Sequence, residues 1–144
     1  DILSPTAHRM YSHSITLRVR YGETDQMGYM YYGRYAEHFE LGRVEALRAI
    51  GFTYKRMEQQ GIALPVHELR VKYHKPARYD DMLTVRTTIT KLPTVRIVFE
   101  YTVHNEAGEL LTEAMTTLVF ITMTDGSPCL PPQDLVAALA SYFD

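Results

Sequence analysis

Y-G-E-T-D-Q-M-G-Y-M-Y-Y-G-R-Y-A-E-H-F-E, residues Tyr21 to Glu40, is the stretch on which the fold turns. It begins where an alternating run ends (Ile15, Leu17 and Val19, with Thr16, Arg18 and Arg20 between) and finishes inside a helical pattern. The segment therefore reads as a strand, a glycine-punctuated loop and the first turns of a helix. One carboxylate, Asp25, stands in the loop, before the turn marked by Gly28 and ahead of Tyr29, Tyr31, Tyr32 and Tyr35. A helix start offers unpaired N–H groups and a positive dipole end, which can polarise a carbonyl. A nearby carboxylate can attack that carbonyl or activate water against it. Asp, Thr and Gly equally favour a plain turn, so the residues alone leave both readings open.

Working outward, the helix is expected from Gly33 to Ile50, with Gly51 as its C-cap. Tyr35, Ala36, Phe39, Gly42, Ala46, Leu47 and Ile50 share one face, and Arg43 is the charge within it. Gly42 in mid-helix costs about 1 kcal/mol relative to Ala and implies that something packs close there. A short helix from Tyr54 to Gln60 follows. Four strands are then expected: Val66 to His74, Met82 to Thr90, Val95 to Val103 and Leu110 to Met123. The first changes parity between Val66 and Leu69, which suggests a bulge. The last is apolar on both faces near its end, as a covered central strand would be. A helix from Gln133 to Phe143 closes the chain through Leu135, Val136, Leu139 and Tyr142. One long helix followed by antiparallel strands makes an α+β fold with the sheet curled round the helix.

Two segments resemble a known family. The first is the Tyr21–Glu40 stretch. The second is V-K-Y-H-K-P-A-R-Y-D-D-M-L, Val71 to Leu83. Together they resemble the hotdog-fold acyl-CoA thioesterases of the 4-hydroxybenzoyl-CoA thioesterase and Tol-Pal-associated acyl-CoA thioester hydrolase type. The resemblance implies an antiparallel sheet wrapped around one long central helix, and hydrolysis of an acyl-CoA to free acid and coenzyme A. It places Asp25 at the family's catalytic Asp, the Tyr32 N–H at the position that polarises the thioester carbonyl, and Tyr21 at a residue near the Asp. Gly28 and Tyr31 fall among the substrate-binding positions. Lys91, Thr94 and Arg96 flank the turn where relatives hold the nucleotide, with Lys75 and Arg78 as further basic candidates. Many short acyl-CoA members carry His where this chain has Tyr32, whereas the 4-hydroxybenzoyl type carries Tyr. Glu40 matches a family Glu, although an i, i+3 pair with Arg43 accounts for it without catalysis. The family also implies a homodimer or homotetramer. An acyl-carrier-protein thioesterase or a non-catalytic acyl-CoA-binding protein are the alternatives within this fold.

Composition narrows the rest. A chain of 144 residues is one domain by size. Residues 1–13 lack periodicity and read as an extension, with Met10 as a candidate native start and 14–144 as the domain. A net charge of -2 gives no reason to expect nucleic acid as partner. Apolar runs are too short for a membrane span, and no signal-peptide pattern opens the chain, so a cytoplasmic location is expected. Neither the single Cys129 nor the histidines His8, His13, His38, His67, His74 and His104 form a metal-ligand pattern, so neither metal nor cofactor is expected. The acyl group is not legible: chain length depends on a pocket floor.

Overall fold

The computed structural model describes residues 2–3 and 9–143. Its strands are β1 (Tyr11–Arg18), β2 (Ile62–Ala63), β3 (Val66–Tyr73), β4 (Met82–Ile89), β5 (Arg96–His104), β6 (Leu110–Val119) and β7 (Ile121–Thr122). Its helices are α1 (Tyr35–Arg48), α2 (Tyr54–Gln59) and α3 (Gln133–Ala140). Five strands form one antiparallel sheet in the order β1-β4-β5-β6-β3. α1 lies across it on a core of Phe39, Ala46, Leu47, Leu83, Val85, Phe99, Tyr101 and Leu118. This is the expected α+β hotdog arrangement.

The ends of α1 follow from local chemistry. At its C-terminus Gly51 takes φ 85°, its N–H reaches Arg48 O, and the Phe52 N–H reaches Leu47 O. That is the Schellman pattern, which needs a left-handed residue and so favours glycine. At its N-terminus a single 3-10 turn, Tyr32–Arg34, precedes the α-helix. The helix proper thus starts two residues later than the periodicity suggests. Ala36, expected on the buried face, is exposed, and His38 is buried in its place.

Gly42 shows what its missing side chain allows. A Cβ there would lie 2.6 Å from Thr87 Oγ1 and 3.3 Å from Val85 Cγ1. The helix rests on β4 at a distance that no side chain fits.

Three expectations need correction. β1 begins at Tyr11, whose pairing with Ile89 brings Tyr11, Ser12 and His13 of the expected extension into the sheet; residues 1 and 4–8 lie outside the described residues. The strand expected to run from Leu110 to Met123 is two. Phe120 gives its N–H to Val95 O and accepts from Cys129 N–H, and Ile121–Thr122 then pairs with Ile62–Ala63 instead of with β3. The two-residue β2 carries too little pattern to be read in advance. The last helix stops at Ala140, short of Phe143. The bulge expected in β3 is present, between Val66 and Glu68.

β3 is the edge that stands out. It pairs with β6 on one side, and Val66, Leu69 and Tyr73 are 47%, 42% and 48% exposed. A long edge strand with apolar side chains invites pairing with another strand.

Helix propensity alone would make Gly42→Ala stabilising by about 1 kcal/mol. We expect the reverse, a lowered melting temperature. Adding Thr87→Ala should restore much of the loss, because Thr87 Oγ1 has no hydrogen-bond partner among the described residues to forfeit. Thermal denaturation of the two single variants and the double variant checks this.

Candidate active site

The loop between β1 and α1 folds back on itself before the helix begins. Thr24 bridges Met30, the Asp25 N–H reaches Tyr29 O, and the Gly28 N–H reaches Asp25 O with Gly28 at φ 80°. Inside this turn Asp25 Oδ1 accepts from the Met27 N–H at 2.9 Å and the Tyr29 N–H at 3.2 Å. The amides that reach the carboxylate thus belong to its own turn, not to the helix. Both bonds fall on Oδ1, and Oδ2 has no protein donor among the described residues. Turn-former and candidate catalyst are therefore one residue, using different oxygens.

The second segment of the resemblance, Val71 to Leu83, cradles the first. The Met30 N–H donates to Ala77 O at 2.7 Å, Tyr29 bridges Arg78, and the Tyr79 N–H reaches Gly28 O. The Arg78 guanidinium lies 4.9 Å from the centre of the Tyr29 ring, a favourable cation–π placement. Between the segments opens a cleft of about 320 Å³, lined by Asp25, Tyr29, Met30, Tyr32, Tyr35, Tyr73, His74, Lys75 and Pro76. Sequence reasoning gave Tyr35, Tyr73, His74 and Pro76 no site role. The proline-containing segment that carries three of them was the available signal.

Phenols dominate this cleft. Tyr73 Oη donates to Tyr32 O at 3.4 Å, and the Tyr35 and Tyr73 rings meet edge to face at 5.3 Å. Burial raises the Tyr35 hydroxyl above the usual phenol range and outweighs its hydrogen-bond partners. Burial, with Tyr35 and Tyr32 close by, does the same to Tyr73. Both stay neutral donors at physiological pH. Tyr32 opens the 3-10 turn, where the helix supplies no acceptor for its N–H. The Tyr31 ring packs 4.9 Å from that of Tyr32 and over Gly33, where a Cβ would meet its edge.

Other expected site residues lie elsewhere. Tyr21 is 77% exposed, sits against Tyr79 and does not line the cleft. Lys91, Thr94 and Arg96 are exposed around the start of β5. Arg96 pairs with Val119, beside the Leu118 that meets Val66. Tyr73 is at the other end of β3, roughly 23 Å away along the strand. Within one chain these three residues do not reach Asp25. Lys75, by contrast, lines the cleft and is paired with Glu109. Glu40 stands 4.0 Å from Arg43 and is 69% exposed, the contact that its spacing implies.

A model of the thioesterase-like superfamily matches residues 19–139. The chain belongs to the thioesterase-like superfamily. It is 33% identical over 121 residues to the acyl-CoA thioester hydrolase YbgC of Escherichia coli, covering 84% of this chain and 90% of YbgC. Among solved structures it resembles the DHNA-CoA thioesterase of Staphylococcus aureus, with a TM-score of 0.86 and 35% identity over 90% of this chain and 89% of that one. It also resembles protein TT1821 of Thermus thermophilus, with a TM-score of 0.83 and 34% identity over 90% of this chain and 98% of that one. This superfamily member is an acyl-CoA thioester hydrolase of hotdog fold.

A buried pair anchors the hydrolase's loop to its helix. Glu23 is 3% exposed; its Oε1 accepts from the Arg20 N–H at 2.8 Å, and its backbone oxygen accepts from the Tyr31 N–H. Glu23 Oε2 lies 3.0 Å from His38 Nε2 on α1, a contact that becomes an ion pair when His38 is protonated. Burial works to raise the Glu23 carboxyl, but bonds from Arg20 and the charge of His38 outweigh it and hold it below its ordinary value. Burial lowers the His38 imidazole. Each group then binds fewer protons folded than unfolded at intermediate pH, so stability falls as pH drops through both ranges. We expect the melting temperature to decline below pH 6.5 and again below pH 4.5, the two unfolded values. His38→Phe should abolish the first decline and keep the second. Calorimetric scans across this range read both.

Proposed function

We propose that Asp25 and the Tyr32 N–H carry out the hydrolysis in the cleft between the two segments, with the acyl-CoA carbonyl held between them. The observation behind this reading is the division of labour at Asp25: Oδ1 is committed to the turn and Oδ2 faces no protein donor among the described residues. In the nucleophilic route Oδ2 attacks the thioester carbonyl, the C–S bond breaks, and coenzyme A leaves as thiolate while a mixed anhydride forms. Water then opens the anhydride to give the carboxylic acid and the free Asp25. In the general-base route Oδ2 takes a proton from water as that water attacks the same carbonyl; the C–S bond then breaks and the proton passes to the leaving thiolate. Either way negative charge grows on the carbonyl oxygen, where the Tyr32 N–H is the donor this chain offers. The neutral phenols of Tyr35 and Tyr73 keep water ordered or excluded without competing as bases.

We further propose that the working unit is at least a homodimer paired through β3. Antiparallel pairing about a two-fold axis sets the Tyr73 end of one β3 beside the Val66 end of the other. That brings the Lys91, Thr94 and Arg96 region of one chain toward the Asp25 cleft of its mate, where basic groups suit the phosphates of coenzyme A. The residues near Ala63 to His67 come with it. Tyr21 is assigned a supporting place outside the cleft. No helix among the described residues is long and apolar enough to cross a membrane, and we place the enzyme in the cytoplasm.

Asp25→Asn keeps an oxygen for the Met27 and Tyr29 amides and removes the charge, so fold and acyl-CoA binding should survive. Its kcat should fall by about 100-fold or more, measured as thiol release from a panel of acyl-CoAs and, separately, from acyl-carrier-protein thioesters. A folded variant that keeps the parent rate overturns the assignment. Light scattering at micromolar concentration should give a mass of at least twice 16.6 kDa; a stable monomer rules out the paired site.

A further inference from the structure

β3 lends one edge to the sheet, and its ladder tells which groups the other edge offers. The His74 N–H donates to Leu111 O, and Tyr73 stands opposite Thr112. Bonded and non-bonded positions alternate along an antiparallel ladder. Lys72, Arg70 and Glu68 therefore bond β6, while Tyr73, Val71 and Leu69 turn their N–H and C=O groups to the open edge. The bulge before Glu68 ends the regular stretch, and His67 is the residue that it leaves unpaired.

The same three residues carry their side chains on the α1 side of the sheet. Leu69, Val71 and Tyr73 stand opposite Thr116, Ala114 and Thr112 of β6, all buried. Leu69 and Tyr73 are themselves well exposed, and Val71 packs against the core. An edge whose free amides belong to apolar residues is self-complementary, because a copy turned by a two-fold axis presents the same groups in reverse order. Opposite residues share a face, so the axis has to pass through a residue. With Val71 on it, Leu69 meets Tyr73, Val71 meets itself, and the open positions give roughly six main-chain bonds. With Leu69, Arg70 or Lys72 on the axis they give roughly four or fewer. The Val71 register does set Arg70 opposite Lys72. That repulsion between exposed side chains is small beside two main-chain bonds, and Glu113, the β6 neighbour of Lys72, eases it.

We propose that β3 pairs with its copy in the Val71 register, and that each chain thereby lends Leu69 to the Asp25 cleft of the other. This rests on the reading that the thioester is hydrolysed at Asp25 in a unit paired through β3. Tyr73 lines the cleft. Leu69 of the partner subunit, opposite Tyr73 on the same face, places its Cβ about 5 Å from that of Tyr73. His74, Lys75 and Pro76 continue the cleft beyond Tyr73, and the residues that precede Leu69 in the partner subunit run alongside them. Within one chain the rings around the cleft are those of Tyr29, Tyr32, Tyr35 and Tyr73. The partner adds an aliphatic wall, against which the apolar part of an acyl group packs. A site divided in this way is incomplete in a lone chain.

Disulfide trapping on a Cys129→Ser background tests the register, since Cys129 is the chain's single cysteine. In the Val71 register Arg70 and Lys72 of opposite chains form a non-hydrogen-bonded pair with Cα atoms about 4.5 Å apart, within disulfide reach. Arg70→Cys and Lys72→Cys combined in one chain should give a covalent dimer on mild oxidation, and neither substitution alone should. A covalent dimer from either single variant puts another residue on the axis and overturns the proposal. So does a dimer by light scattering that none of the three variants traps. A monomer overturns the paired unit as well, while the rate of Asp25→Asn still decides the Asp25 reading. Mixed chains test the lent residue. Leu69→Trp fills the neighbour's cleft and should inactivate its own homodimer. Co-expressed with Asp25→Asn, it should regain activity by about tenfold or more over either variant alone, because Asp25→Asn by itself keeps about a hundredth of the rate and the mixed pair holds one site with both Asp25 and Leu69. A Leu69→Trp protein near the parent rate, or a mixed pair that forms without regain, overturns the proposal and leaves Asp25 in place.

Discussion

The contact between Gly42 and Thr87 sets the geometry of the molecule. With no Cβ on that turn, α1 comes down onto β4 until backbone and side chain touch. The height of the helix above the sheet then fixes which neighbouring residues can be large. Phe39 and Leu47 fill the space on either side, and Tyr101 reaches up from β5 with its hydroxyl pushed up to about 12, chiefly by burial. The same height holds the helix start level with the Val71 to Leu83 segment, so that the Asp25 turn fits between them. Packing density leaves little freedom in such an arrangement.

The proposed chemistry depends on that placement twice over. The helix start presents Tyr32, and the turn before it presents Asp25. Both are held by backbone bonds: Met30 to Ala77 and Asp80 to Val19 between distant segments, and Tyr31 to Glu23 within the loop. Asp80 carries the positive φ that this requires, 71°, a conformation that Asp tolerates better than most residues. The buried Glu23–His38 pair joins the turn to the helix itself. The site is a set of exposed groups on a framework of buried ones.

Much of this was legible in the sequence. The long helix, the run of strands that follows it and the bulge in β3 followed from periodicity, because apolar spacing reports which face is buried. Gly42 announced close packing, and the spacing of Glu40 and Arg43 announced their contact. What stayed hidden was whatever depends on three-dimensional proximity. The burial of His38 is set by Glu23, on a different element. The split of the last long strand reflects the bond from the Phe120 N–H to Val95 O and the bond from the Cys129 N–H to Phe120 O, which no periodicity records. The cleft was half visible: Asp25 and Tyr32 stood out, while Tyr35, Tyr73 and His74 looked like core or strand residues until two distant segments met. Lys91, Thr94 and Arg96 share a turn in sequence, yet the length of β3 separates them from Asp25 within one chain.

The pairing of Tyr11–Arg18 with Met82–Ile89 has a kinetic side. These strands are neighbours in the sheet and distant along the chain, so a large loop must close before they can meet, and that closure carries an entropic cost. α1 lies within the loop, weakened by a glycine that becomes an asset after β4 is in place. The helix is therefore a poor early nucleus. The strands β4, β5 and β6, joined in succession by short turns, offer the local contacts from which folding can start. Helix and Asp25 turn should be among the last parts to set, arriving together when β1 docks.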